Sequence, residues 1–272
     1  MEKKGYWYEY PRPAITTDSV IFGFDGTLLN VLLIERGAEP FKGMWALPGG
    51  FMRMDESIEE CAARELAEET NVKDVYLEEF GIFSKINRDP RGRVVTVAFI
   101  ALVRPSDYQV IGGDDAARAA WFDLNMLPPL AFDHLDIINV AREKLREILK
   151  VRPVAFRLLE EVFSVDDLRK VFEAVNGTVY DRRNFQRKLM QWNGIEEVNI
   201  RHLSEERDSR SFLCCDSLPD SSGHPICRPE RNSTRPGRKI SKLFRLRRNN
   251  LTDNQEDFAS DRDSSIKDLF NY

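Results

Sequence analysis

Apolar residues fall along this chain in two rhythms. Over 17–24 (TDSVIFGF) and 29–35 (LNVLLIE) they run nearly unbroken and are rich in β-branched side chains, which predicts two strands. Asp25-Gly26 between them is a strong turn dipeptide, so the strands form a pair. A short strand is expected near Ala46-Leu47. Longer ones are expected over 75–83 and 94–102, joined by a polar loop holding Asn87, Arg88, Asp89, Pro90 and Gly92, and Trp121-Phe122 closes the sheet region. The helical rhythm is set by Ile58, Ala62 and Leu66. It recurs over 135–149, where Ile138, Ala141, Leu145, Ile148 and Leu149 fall on one side. Strands interleaved with helices predict an α/β fold.

Pro153 marks a boundary, and a smaller unit follows. Residues 156–163 read as a short helix. Ser164 is a natural N-cap for the next, whose core face carries Leu168, Val171, Phe172 and Val175 and which Gly177 ends. Asp181 caps a third helix, RRNFQRKLMQWN, ended by Gly194. Phe185, Leu189 and Trp192 form its buried stripe, and Arg182, Arg183, Gln186, Arg187 and Lys188 its outer face. KISKLFRLRR (239–248) alternates as a strand with basic residues on one side. Between these, 204–234 is rich in Ser, Asp and Pro and reads as a disordered excursion, and 249–272 as a mobile acidic tail. The expected division is therefore 8–150, then 153–248 interrupted at about 204–234, then the tail.

A chain of 272 residues holds one large or two modest domains. It has no run of 18 apolar residues, so no membrane span is expected. The opening MEKKGYWYEYPRP lacks the apolar core of a secretory signal, and four cysteines make no disulfide framework, so a cytoplasmic protein is expected. The net charge of −5 conceals a basic stretch (Arg235, Arg238, Lys239, Lys242, Arg245, Arg247, Arg248) followed by Asp253, Glu256, Asp257, Asp261 and Asp263. Local patches, not the mean, will decide partners.

The chemistry concentrates in 50–72, GFMRMDESIEECAARELAEETNV. Glu65, Glu68 and Glu69 stand at i, i+3 and i+4, on one side of a helix, where like charges repel. A cation is expected there, and carboxylate oxygens favour a hard one, Mg²⁺ or Mn²⁺. Arg36, Arg53 and Arg91 lie where either phosphate or plain solvent is their partner. Cys214, Cys215, His224 and Cys227 are spaced C-C-x8-H-x2-C. Adjacent cysteines chelate poorly, which disfavours zinc.

The segment resembles the Nudix box, G-x5-E-x7-R-E-U-x-E-E-x-G-U with U apolar, at Gly50, Glu56, Arg64, Glu65, Leu66, Glu68, Glu69 and Val72. It departs at Asn71, where the box has Gly. Asn tolerates the left-handed conformation that ends a helix, so the metal chemistry is untouched. The approach GMWALPGG (43–50) also resembles the family's. The resemblance implies an α/β/α sandwich. It implies Glu65 and Glu69 as metal ligands, Glu68 as a further ligand or water-positioning group, the Gly50 carbonyl in the shell, and a Glu56–Arg64 pair bracing the box. For the general base it points to Asp114 or Asp115 on the loop before the last strand; equally, these two cap a turn. His134 and His202 have no role in that hydrolysis: one is expected packed, the other exposed.

The helical unit resembles a winged helix-turn-helix, and the two units together are similar to bacterial Nudix-related transcriptional regulators. Tyr10-Pro11-Arg12-Pro13-Ala14, Leu130-Ala131-Phe132-Asp133-His134, Asp181-Arg182-Arg183-Asn184-Phe185 and Arg235-Pro236 carry the likeness. It implies duplex DNA contacts from Arg182, Arg183, Gln186, Arg187 and Lys188, with Arg238 and Lys242 on phosphates, and a homodimer on paired half-sites. The 204–234 excursion departs from that family, which passes from helix to wing in few residues. Two readings follow. One is a regulator that binds, and hydrolyses, a nucleoside diphosphate linked to another group, such as ADP-ribose. The alternative is a pure pyrophosphohydrolase whose C-terminal unit has a non-DNA role.

Overall fold

The computed structural model describes residues 8–113, 116–192, 194–198 and 242–247. Asp114, Asp115, His202, Arg238, the 204–234 excursion with its cysteines and His224, and the 249–272 tail lie outside them.

The first unit is built on a mixed sheet. Strand β1 (Ala14–Phe24) turns at Asp25, whose carboxylate accepts from the Thr27 and Leu28 amides at 2.8 Å each, into β2 (Leu29–Arg36). The short β3 (Trp45–Ala46) leads through the glycine turn to helix α1 (Ile58–Thr70). Strands β4 (Glu78–Phe83), β5 (Val94–Val103) and β6 (Ala116–Asp123) follow, then helix α2 (His134–Leu149). β1 pairs in parallel with β5 over its whole length, and β4 flanks β5 on the other side. β2 pairs with β1 over its first residues, with β3 near its end, and with β6 throughout, so the sheet splays at β2.

Both faces of this sheet are covered, which is why β1 reads as an apolar run rather than an alternation. Val20, Phe22, Val31 and Leu33 point to α2; Ile21 and Leu32, one residue out of phase, join Leu66 of α1. The result is the expected α/β/α sandwich. α1 opens with a capping box, Ser57 accepting from the Glu60 amide and Glu60 from the Ser57 amide. It closes at Asn71 in the left-handed region, with its amide on Ala67 O, as expected for Asn at this position. Ile58, expected in the core stripe, is only half-buried; Cys61, Ala62, Leu66 and Thr70 carry it.

The second unit differs from expectation at its start. Residues 156–163 are not a helix. A 3₁₀ turn spans Val154–Leu158, and Phe163–Ser164 is a strand, β7, because Phe163 finds a partner in Phe244. Helix α3 (Val165–Asn176) is capped by Ser164 with a reciprocal Asp167 bond and ends at Gly177, φ 68°. Helix α4 (Arg182–Gln191) is capped by Asp181. It stops two residues earlier than the sequence indicates, and Trp192 turns extended. Strand β8 (Ile195–Val198), which the sequence reading passed over, pairs with β9 (Leu243–Leu246), giving the order β7-β9-β8. A 3₁₀ turn, helix α3, the basic helix α4 and this three-stranded wing make a winged helix.

One hydrophobic cluster runs through both units. Ile137, Ala141, Leu145 and Leu149 of α2 share it with Val20 and Leu33 of the sheet and with Leu158, Phe172 and Phe185 beyond Pro153. A seam inside a common core gives cooperative unfolding. A single urea transition is expected, with circular dichroism and tryptophan fluorescence coinciding. Leu145→Ala, at a site of 0% exposure, should lower its stability by about 2–5 kcal/mol without splitting it. Two resolved transitions in the wild type would mean that the units fold independently.

Candidate functional site

The glycine turn sets the site. A Cβ on Gly49 would stand 2.0 Å from Thr17 O, so only glycine lets the turn lie against β1. A Cβ on Gly50 would meet Glu65 Oε1 at 2.4 Å, so its absence makes room for that carboxylate. Thr17 N donates to Gly50 O at 2.9 Å, and the Cys61 thiol donates weakly to the same oxygen at 4.0 Å.

Arg64 stands among the acids of α1. It grips Glu56 with two bonds, Nε to Oε2 at 2.7 Å and Nη2 to Oε1 at 2.6 Å, and donates from Nη1 to Glu65 at 2.7 Å and Glu68 at 3.1 Å. Its hydrogen bonds hold the Glu56 carboxyl down to about 2. Arg53 approaches Glu68 from the turn at 3.5 Å. The sequence placed Arg64 with Glu56 alone; here it also orients Glu65 and Glu68. As arranged, no three acidic, histidine or cysteine side chains among the described residues converge on a metal ion.

Glu69 is the exception in this cluster. It is buried and takes its bond from Gly49 N, at 2.8 Å. Burial, with the charges of Glu65 and Asp18 nearby, pushes its carboxyl up to about 8. Such a group, next to two further carboxylates and a carbonyl oxygen, is chemically suited to a hard divalent cation, which would replace its proton.

These acids line a cavity of about 700 Å³. Arg36, Arg88 and Arg91, with Phe51 and Phe132, line it as well. Arg36 lies 4.9 Å and Arg91 5.5 Å from the Phe132 ring, and Arg91 also stands 4.7 Å from Phe51. The floor is a buried polar network. Arg88 bonds Asp133 at 3.0 and 2.7 Å and Asp18 at 3.2 Å. His134 Nδ1 accepts from Leu47 N at 2.8 Å, and its Nε2 stands 3.4 Å from Asp18. Burial lowers its pKa, consistent with a neutral ring accepting at Nδ1. His134 is thus packed, as the sequence indicates, yet it lines the cavity.

The structure brings Gly50, Arg64, Glu65, Glu68, Glu69, Arg36, Arg53 and Arg91 to one cavity. Glu56 stands behind Arg64. Sequence reasoning missed Asp18, Arg88 and Asp133. Asp18 left a signal, a charge inside an otherwise apolar strand. Arg88 and Asp133 left none, being 45 residues apart in sequence.

On the second unit, Arg182, Arg183, Gln186 and Arg187 are exposed along α4 and Lys188 is half-exposed. Arg182 pairs with Asp166 at 2.8 Å and Arg187 bonds Asn184 at 3.1 Å. On the wing, Lys242 pairs with Glu197 at 2.8 Å and Arg245 with Glu196 at 2.6 Å. Among the described residues no helix is long and apolar enough to cross a membrane.

Residues 12–141 match the family model of the NUDIX domain, and 155–212 that of the NrtR DNA-binding winged helix domain. The chain is 30% identical over 207 residues to the ADPR responsive transcriptional repressor NtrR of Acinetobacter baylyi, covering 75% of this chain and 83% of that one. It is 43% identical over 130 residues to an ADP-ribose pyrophosphatase of Methanocaldococcus jannaschii, covering 48% and 73%. The Shewanella oneidensis NrtR crystallised with a 27mer DNA has a TM-score of 0.59 at 29% identity, covering 87% of this chain and 94% of that one. With both domain models matched in order and a relative aligned over most of its length, the chain belongs to the Nudix-related transcriptional regulators, a Nudix domain joined to an NrtR-type winged helix.

Proposed function

We propose that this protein is a regulator that binds ADP-ribose in its Nudix domain, taken as 8–150, and duplex DNA through the winged helix of 153–248, and that it also hydrolyses its ligand. The observation that carries the reading is one cavity lined by carboxylates, guanidinium groups and aromatic rings. A nucleoside diphosphate joined to a sugar needs cation-holding carboxylates, guanidinium groups for phosphate and a ring for its base, and the cavity supplies all three.

The binding roles divide by chemistry. Arg36, Arg53 and Arg91 take the diphosphate oxygens, and Phe51 and Phe132 flank the base. Glu65, Glu68 and Glu69, with the Gly50 carbonyl, would hold Mg²⁺ or Mn²⁺. When bound, the cation supplies neutralisation of charge on the diphosphate. Arg64 and Glu56 brace these carboxylates. Asp114 or Asp115 takes the proton of the attacking water. In the winged helix, Arg183, Gln186 and Arg187 read base edges, while Arg182, Lys188, Arg238 and Lys242 meet phosphates. Paired half-sites require a homodimer. A pure hydrolase is the second reading. The 43% identity of the Nudix unit to an ADP-ribose pyrophosphatase supports it.

Glu69→Gln removes a ligand charge and keeps the shape. Turnover of ADP-ribose with Mg²⁺ or Mn²⁺ should fall by orders of magnitude while the fold survives. A wild type that cleaves no nucleoside diphosphate compound with either metal would end the enzymatic half of the reading.

The raised Glu69 pKa has a pH signature. In the unfolded chain its carboxyl titrates near 4.5, in the metal-free fold near 8. Between those values the fold keeps a proton that the unfolded chain has lost, so metal-free stability falls as pH rises through that window. Below about 8 the cation must displace this proton, so metal affinity should climb roughly tenfold per pH unit and then level off. Chemical denaturation and metal titration from pH 5 to 9 measure both slopes, and Glu69→Gln should flatten each. Unchanged slopes in that variant would assign them to another group.

Arg183→Ala with Arg187→Ala should remove preference for the protein's own upstream region over random duplex, each base contact carrying roughly 1–3 kcal/mol. Footprinting at physiological salt is the measurement. Equal binding of both duplexes by the wild type would leave the enzyme alone.

A further inference from the structure

We infer that α2 carries ligand occupancy from the cavity to the DNA-binding unit, with Phe132, Asp133 and Arg88 as its sensing end and Arg146 as its coupling end. The inference rests on the reading above, that the cavity takes ADP-ribose and α4 takes DNA.

The sensing end is held by the cavity's own cations. Asp133 stands at the N-cap of α2, but its side chain makes no cap bond. Both its oxygens go to Arg88, at 3.0 and 2.7 Å, and Arg88 lines the cavity. Phe132, one residue earlier, sits at φ 52°, a conformation costly for an aromatic residue. Its ring is flanked by Arg36 and Arg91. A helix start that gives up its cap, next to a strained residue wedged between cations, is not built for helix stability. Two of the guanidinium groups around it, Arg36 and Arg91, are ones the diphosphate would draw on. Ligand and helix start therefore compete for these two arginines, while Arg88 holds Asp133 from the cavity floor.

Arg146 lies about 20 Å from Asp133 along an unbroken helix. Leu145 and Leu149 sit in the common core, and Arg146 Nε donates to Val175 O at 3.0 Å, in the last turn of α3. That turn ends at Gly177, and Asp181 then starts α4. The other polar links across the seam start elsewhere. Among the described residues Lys170 reaches Gly26 O, Arg104 reaches Leu159 O and Glu160, and Arg157 stands over the Tyr76 ring, and none of Gly26, Arg104 and Tyr76 lines the cavity. α2 is thus the element with one end in each function. A shift at residues 132–133 reaches the α3–α4 turn because a packed helix moves as a body rather than deforming.

The test uses the full chain without divalent metal, so that ADP-ribose is bound and not consumed. Duplex from the upstream region is titrated with and without saturating ADP-ribose, and ADP-ribose with and without duplex. In the wild type the two ratios should agree, because coupling is reciprocal, and should lie at roughly tenfold. Arg146→Ala touches neither the cavity nor the outer face of α4. It should leave each affinity alone within twofold and shrink the coupling at least threefold. Amide exchange supplies a second readout should that variant fold poorly: in the wild type, ADP-ribose should alter protection over residues 175–181. Coupling retained in full by Arg146→Ala, or exchange at 175–181 indifferent to ligand, overturns the inference. A wild type that binds both partners with no coupling also overturns it, while leaving both binding roles intact. Failure to bind ADP-ribose or DNA at all would instead overturn the reading on which it rests.

Discussion

The site depends on a single guanidinium. Glu56, Glu65 and Glu68 come together in one turn and helix, and Arg64 contacts all three between 2.6 and 3.1 Å. Remove the arginine and Glu56, Glu65 and Glu68 lose their common cation, with only Arg53 left to Glu56 through its amide and to Glu68 through its guanidinium. The position of Arg64 in turn depends on the glycine turn, since a side chain at Gly50 would occupy the space of the Glu65 carboxylate. Glu69 has no bond to Arg64, and burial, with the charges of Glu65 and Asp18 added, keeps a proton on it. The metal-free cluster is thus neutralised twice, by a fixed cation and by a hydrogen ion.

What the sequence made legible was local. The acidic set lies within twenty residues, its geometry follows from helical spacing, and glycine, N-cap and left-handed Asn71 bound it at both ends. The sandwich was readable for a similar reason: long apolar runs and a 3.6-residue rhythm are strong where strands and helices are long. Short elements failed. Residues 156–163 carry helix-like spacing, but Phe163 pairs with Phe244, 81 positions away, and that contact decides its backbone. Ile195–Val198 is four residues long and alternates only against β9. The cavity floor failed too. Asp18, Arg88, Asp133 and His134 arrive from a strand, a loop and a helix start, and no single segment shows them as a group.

The hidden residues are the ones that connect the two units. Asp133 and His134 begin α2, so the buried network that shapes the cavity also fixes where that helix starts. Leu145 and Leu149, three turns on, lie in the core shared with α3 and α4. Interfaces between domains of one chain are commonly more polar and allow relative motion. A continuous apolar seam restrains sliding and favours concerted movement, and this makes an end-to-end helix an effective link.

The surface charges of the winged helix are unevenly available. On the wing, Lys242 and Arg245 are paired with carboxylates of the neighbouring strand, and on α4 Arg182 is shared with Asp166. A cation already neutralised by a protein carboxylate displaces fewer counterions from DNA than a free one. Each phosphate truly neutralised steepens the salt dependence by about 0.9 in log units, so Lys242 and Arg245, being paired, add little to that slope. Base contacts do not depend on net charge in this way. Arg183, Gln186 and Arg187 project from the exposed face of α4, opposite Phe185 and Leu189, on a helix whose start Asp181 fixes. With phosphate grip reduced and the base-reading face kept open, the balance moves from affinity for any duplex toward discrimination between duplexes. That is the balance a regulator requires, because non-specific sites outnumber its own.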